Sequence, residues 1–155
     1  MATLRVTSAA FDEGATIPDR YTCSAENLSP PLAWEGVPER AETLAIVCED
    51  PDAPSGLFVH WVLYNLPRQT TALAEGVPAA ATLPDGARQG MNSARQVGYH
   101  GPCPPPGPAH RYCFRVYALD ASLQPISGMA RDQFLQAAHG HILAEGQLLG
   151  RYRRG

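Results

Sequence analysis

The chain has no surplus of positive charge. Its 155 residues carry a formal net charge of -3 at pH 7, with a pI near 5.9, so no overall basic field exists to steer nucleic acid or to hold an anionic membrane. Lysine is absent altogether, and all 12 basic residues are arginine. That bias speaks of a GC-rich genome more than of a function, and Arg151, Arg153 and Arg154 read as a solvated tail. No run of about 18 apolar residues is present, which excludes a spanning helix and stable membrane insertion. The opening stretch MATLRVTSAAFDEG lacks the apolar centre of a signal peptide, so the expected location is cytoplasmic. The cysteines, Cys23, Cys48, Cys103 and Cys113, contain no CxxC pair, which removes zinc-knuckle and thioredoxin-type motifs. In a reducing cytosol all of them are expected as free thiols. A Gly-x-Ser-x-Gly elbow is also missing, so a serine hydrolase of that type has no support.

What the chain does contain is proline, 15 residues, and glycine, 14 residues, beside 45% hydrophobic and only 17% charged residues. That mixture indicates tight connections around a packed core rather than disorder. The length suits one sizeable core, and no repeat or linker divides it, so residues 1–155 are read as a single domain.

Strand signals dominate. Thr43 to Asp50 (TLAIVCED) and Leu57 to Leu66 (LFVHWVLYNL) are rich in β-branched and aromatic residues and bounded by Pro and Gly. Both carry apolar residues on either parity, the mark of central strands covered on two faces. His110 to Asp120 (HRYCFRVYALD) alternates instead. His110, Tyr112, Phe114, Val116 and Ala118 share a buried face, and Arg111, Cys113, Arg115 and Tyr117 share a face expected to be solvated. Ala130 to His139 has helical spacing with Gly140 as its stop, and the segment from Ala144 reads as a last strand. Long connections lie at Tyr21 to Glu39, Leu73 to Ser93 and Gly98 to Ala109, and loops of that length are commonly functional.

Four short motifs stand in order along the chain: DPDAP (Asp50 to Pro54), HW (His60, Trp61), GPCPPPG (Gly101 to Gly107) and HRY (His110 to Tyr112). On these the sequence resembles the phosphatidylethanolamine-binding protein family, which includes the Raf kinase inhibitor proteins, and it resembles the bacterial branch most. The resemblance extends to the SPPL, W and GVP elements between Asn27 and Pro38 and to Gly140 and His141. Together these span essentially the whole chain. The implied fold is mainly β with a few helices: a large central antiparallel sheet packed on a smaller one. The implied site is a pocket for a small anionic ligand with a phosphate or carboxylate head group, needing no cofactor and no metal. Its ligand-binding residues would be Asp50, Pro54, His60, His110 and Tyr112, with Gly101 and Pro102 on its rim. Bacterial relatives imply a homodimer. The family also implies regulation of a kinase or protease, but Gly101 to Pro106 departs from the Gly-x-Gly-Pro-Pro loop of animal members, so the resemblance implies the pocket more firmly than such a partner.

Read from the residues, the same constellation makes chemical sense. Asp50 ends one strand, His60 lies in the next, and His110 and Tyr112 open a third, so three strand ends can converge on one hollow. Imidazole N–H and phenol O–H are donors suited to oxyanions. Across Gly101 to Ala109 the prolines leave amide donors only at Gly101, Cys103, Gly107 and Ala109, on a stiff backbone. Asp52 is expected to fix the turn through an Asx-type bond. His60, beside a carboxylate, is expected to hold a proton more tightly than an ordinary histidine. His100, His139 and His141 are read as surface or structural, and Trp34 and Trp61 as core. The rival reading is a metal-assisted or cysteine-dependent hydrolase using Asp50, His60, His110 and Cys103.

Overall fold

The computed structural model describes residues 2–154. In chain order its elements are β1 (Ala2–Thr3), β2 (Arg5–Thr7), a 3-10 turn (Asp19–Tyr21), β3 (Leu32–Glu35), β4 (Thr43–Asp50), β5 (Phe58–Pro67), β6 (Ala72–Leu73), β7 (Arg88–Gln89), β8 (His110–Leu119), α1 (Arg131–Ala138) and β9 (Ile142–Tyr152). The large sheet runs β1-β9-β8-β4-β5-β7, and β2-β3-β6 form a small antiparallel one. The long strands of the large sheet are antiparallel as expected, but short β1 lies parallel to β9. The sheet is therefore mixed at that edge.

All eight residues of β4 are buried, because both faces of the large sheet are covered. On one face Leu44, Ile46, Cys48, Trp61, Leu63, Phe114 and Val116 pack against Val6, Leu32 and Trp34 of the small sheet. On the other, Ala45, Val47, Val62, Tyr64 and Tyr117 meet Phe134 and Ala138 of α1. That helix starts where the Ala130 amide donates to Gln133 Oε1 at 2.9 Å, and it stops before Gly140, whose φ of 83° suits glycine.

The second face of β8 is less solvated than alternation suggests. Cys113, Tyr117 and Leu119 are buried there, and Arg115 is drawn into an ion pair. Glu49 is 4% exposed and accepts from Arg115 Nε at 2.8 Å and from Arg131 Nε at 2.9 Å. A buried carboxylate demands such partners, and this one clamps the start of α1 onto the sheet.

Two register shifts interrupt the β4–β5 ladder. Leu44 opposes Leu66 while Ile46 opposes Leu63, leaving Asn65 in the left-handed region with φ of 58°. Its side chain bonds both backbone groups of Leu123, at 2.9 and 2.8 Å. The second shift lies between Cys48↔Trp61 and Glu49↔Val59, so His60 has no partner opposite it in β4. A bulge of this kind turns an extra residue away from strict alternation.

Candidate functional site: a hollow at three strand ends

The last residue of β4 and the first residues of β5 and β8 meet at one end of the large sheet. They enclose a cavity of about 310 Å³. Asp50, His60, His110 and Tyr112 line it, with Phe58, Pro54, Ala53, Pro104 and Pro105 as apolar walls. The bulge explains how β5 contributes. Strict alternation from Trp61, which packs into the core beside the small sheet, would send His60 toward α1. The extra residue brings His60 and then Phe58 to the side of Asp50 and Tyr112 instead.

Asp50 is the hub of the floor. Its Oδ1 accepts the Asp52 amide at 2.7 Å and its Oδ2 lies 2.7 Å from His110 Nδ1. The Asx bond that shapes the DPDAP turn therefore belongs to Asp50 and not, as expected, to Asp52. Asp52 grips Arg111 through Nε at 2.9 Å, Nη2 at 2.8 Å and the backbone amide at 2.9 Å. Those hydrogen bonds to Arg111 hold the Asp52 carboxyl down to about 2. Arg111 is thereby kept off the pocket face, as the strand parity suggested.

His60 is 3% exposed. Its Nδ1 donates to the carbonyl oxygen of His100, and its own carbonyl accepts the His100 amide at 2.9 Å. Since a carbonyl only accepts, Nδ1 carries the proton and Nε2 is the bare nitrogen of a neutral ring. Burial is the main cause that pushes the His60 pKa down to about 4, opposed by the His100 backbone bond and only weakly by Asp50. The expectation of a net rise is overturned: Asp50 does push the value up, but burial outweighs it. Tyr112 is fully buried, and among the described residues neither its hydroxyl nor His60 Nε2 has a hydrogen-bond partner. Burial, and then the Asp50 charge, push the Tyr112 phenol far above its ordinary range, so it stays a donor.

The rim differs from the expected one. Gly101 and Pro102 do not line the cavity, whereas His100, expected to be surface or structural, and Cys103, expected in the site only under the hydrolase reading, do. The Gly101 amide donates to Asn27 Oδ1 at 2.9 Å, and a Cβ there would stand 2.3 Å from that oxygen and 2.4 Å from the Tyr21 carbonyl. Only glycine allows this approach, and its amide is spent on the neighbouring loop. Pro102 accepts the Cys23 amide at 3.1 Å. His100 stacks on His60 with centroids 6.0 Å apart. Its only sequence signal was its place in a long loop beside the proline run.

Cys103 is bonded to Cys23 in a disulfide that joins positions 80 apart in sequence, while Cys48 and Cys113 are buried free thiols. The expectation of four free thiols is therefore wrong for this pair. Cysteines without CxxC spacing can still meet when two loops fold together. The bridge also removes the thiol that a cysteine-dependent hydrolase would need. Among the described residues no group of three His, Cys, Asp or Glu side chains is arranged to hold a metal ion, and no helix is long and apolar enough to cross a membrane.

Residues 7–153 match the model of the family described as phosphatidylethanolamine-binding protein. The chain belongs to the phosphatidylethanolamine-binding protein family. Among its relatives, a UPF0098 protein of Methanothermobacter thermautotrophicus is 53% identical over 146 residues, which cover 94% of this chain and 96% of the relative. The solved structure of the phosphatidylethanolamine-binding protein homologue CT736 from Chlamydia trachomatis superposes with a TM-score of 0.90 at 40% identity, covering 100% of both chains. Escherichia coli YbcL, described as a member of the mammalian family, gives a TM-score of 0.91 at 31% identity and covers 99% of this chain and 100% of its own. Family membership and fold thus agree with the sequence resemblance.

Proposed function

We propose that this protein binds a small ligand through an anionic head group, a phosphate monoester or a carboxylate, and releases it unchanged. One observation carries the reading: at the bottom of the hollow the Tyr112 hydroxyl has no hydrogen-bond partner among the described residues. A buried donor without an acceptor costs roughly 1–3 kcal/mol, and a ligand oxygen would recover it. His110, with Nδ1 committed to Asp50, keeps Nε2 for a second contact. The walls from Phe58, Pro54, Pro104 and Pro105 suit an apolar group attached to that head.

Titration with phenyl phosphate, followed by amide NMR shifts, tests it. Saturable shifts confined to Phe58, His60, His100, His110 and Tyr112 are expected. Shifts scattered over the surface, or none, refute the reading.

A further inference from the structure

The hollow offered to an anion holds a carboxyl group of its own. Asp50 supplies it, and among the described residues no arginine lines the cavity. Arg111 is occupied by Asp52, and Arg154 lies against the disulfide, 3.5 Å from Cys103 Sγ. With neutral imidazoles the site would repel the ligand just read into it, because two like charges in a poorly solvated space are costly. A proton entering with the anion would offset that repulsion, and the contacts restrict where it can sit.

His60 is a poor holder. Its Nδ1–H is used on the His100 carbonyl, and its Nε2 is shielded from water in a pocket wall. His100 stacks on it at an interplanar angle of 12°, so charging both rings would add repulsion. Burial holds both of these histidines below the ordinary value. Tyr112 keeps its proton, and Cys103, in the disulfide, does not titrate. Among the described residues that line the cavity, His110 alone has a carboxylate on one nitrogen and the other nitrogen uncommitted, with a side chain 12% exposed.

Resting on the anion-pocket reading, we propose that anion binding here is coupled to uptake of one proton at His110 Nε2, leaving an imidazolium between the Asp50 carboxylate and the bound oxyanion. Nδ1–H donates to Asp50 in both charge states, so the added proton goes to Nε2 and points it at the ligand as a charge-assisted donor. The ligand class follows. A phosphate monoester, whose second ionisation lies near pH 6, can bring this proton itself, whereas a permanently deprotonated anion must draw it from the medium.

Phenyl sulfate, which keeps a single negative charge, is the probe, with phenyl phosphate as the reference. Calorimetric titrations near pH 8 in two buffers of different ionisation heat should differ by the heat of about one proton per bound anion, falling toward zero near pH 5. Phenyl sulfate affinity should drop about tenfold per pH unit on the alkaline side. His110→Gln keeps an amide donor but cannot be charged, and it should bind more weakly at acid pH, with a flat pH profile and no buffer-dependent heat. Equal heats in both buffers near pH 8, or binding of phenyl phosphate with phenyl sulfate excluded at every pH, overturn the coupling while sparing the pocket. Failure of both anions to bind from about pH 5 to 8 overturns the pocket reading, and the coupling with it.

Discussion

Asp50 Oδ2 lies 2.7 Å from His110 Nδ1 while Asp50 Oδ1 accepts the Asp52 amide, also at 2.7 Å, so one buried carboxylate fixes both the turn after β4 and the imidazole at the start of β8. The turn bond needs only an acceptor, whereas the histidine contact gains from charge. Asp50→Asn should therefore cost less than Asp50→Ala, which deletes both bonds and should lower unfolding free energy by about 2–3 kcal/mol. Urea denaturation checks this. Equal losses in the two variants would mean that the turn bond contributes nothing.

Tyr112→Phe separates stability from binding. The hydroxyl has no partner among the described residues, so its removal should leave the unfolding free energy unchanged or slightly higher. Affinity for phenyl phosphate should fall about tenfold or more, since a hydrogen bond to a charged acceptor contributes about 1.5–3 kcal/mol. A variant that loses stability but binds normally would show that the hydroxyl serves the fold.

His60 predicts an acid-side loss of stability. Its folded pKa is lowered from 6.5 to about 4, chiefly by burial, so between those values the unfolded chain binds the proton that the folded one refuses. Stability from this residue is complete above about pH 6.5 and declines as pH falls toward 4, by roughly 3 kcal/mol at most. His60→Asn retains a donor for the His100 carbonyl and should flatten that part of the profile. Urea midpoints measured across the window, wild type against variant, decide the matter, and parallel profiles would assign the acid sensitivity elsewhere.

The Cys23–Cys103 bridge closes a long loop and ties the turn after the 3-10 segment to the proline loop. Cys103→Ser should lower stability by about 2–4 kcal/mol. Alkylation of the unreduced native protein, read by mass, should find no reactive thiol, because Cys48 and Cys113 are buried. After unfolding without reductant only those two should be labelled. Labelling of Cys103 in the unreduced protein would show that the pair is open, which also bears on compartment, since such bonds persist chiefly where conditions are oxidising.

Much of this protein is legible in its sequence, because local patterns have local causes. Thr43 to Asp50 and Leu57 to Leu66 are apolar on both parities, and a strand so composed has to lie inside a sheet covered on two faces. Tyr112 and Phe114 share a side by simple alternation, and Asp50 ends its strand on the parity of Leu44 and Ile46. The convergence of three strand ends follows from those facts and from the family motifs. Arg111 turns away from the hollow for the same reason.

What alternation could not give is the side on which His60 points. Phe58 shares its parity with Val62 and Tyr64, which face α1, yet Phe58 lies with His60 in the hollow. The register shift opposite Glu49 reverses the count, and a bulge is settled by how two strands pair, not by either strand alone. The histidine's charge state follows from its depth, which is a property of everything packed over it. The same holds for the Cys23–Cys103 bridge, for the Gly101 amide turned to Asn27, and for His100 against His60. Each joins segments far apart in the chain, and only closure of the loops over the sheet brings them within reach.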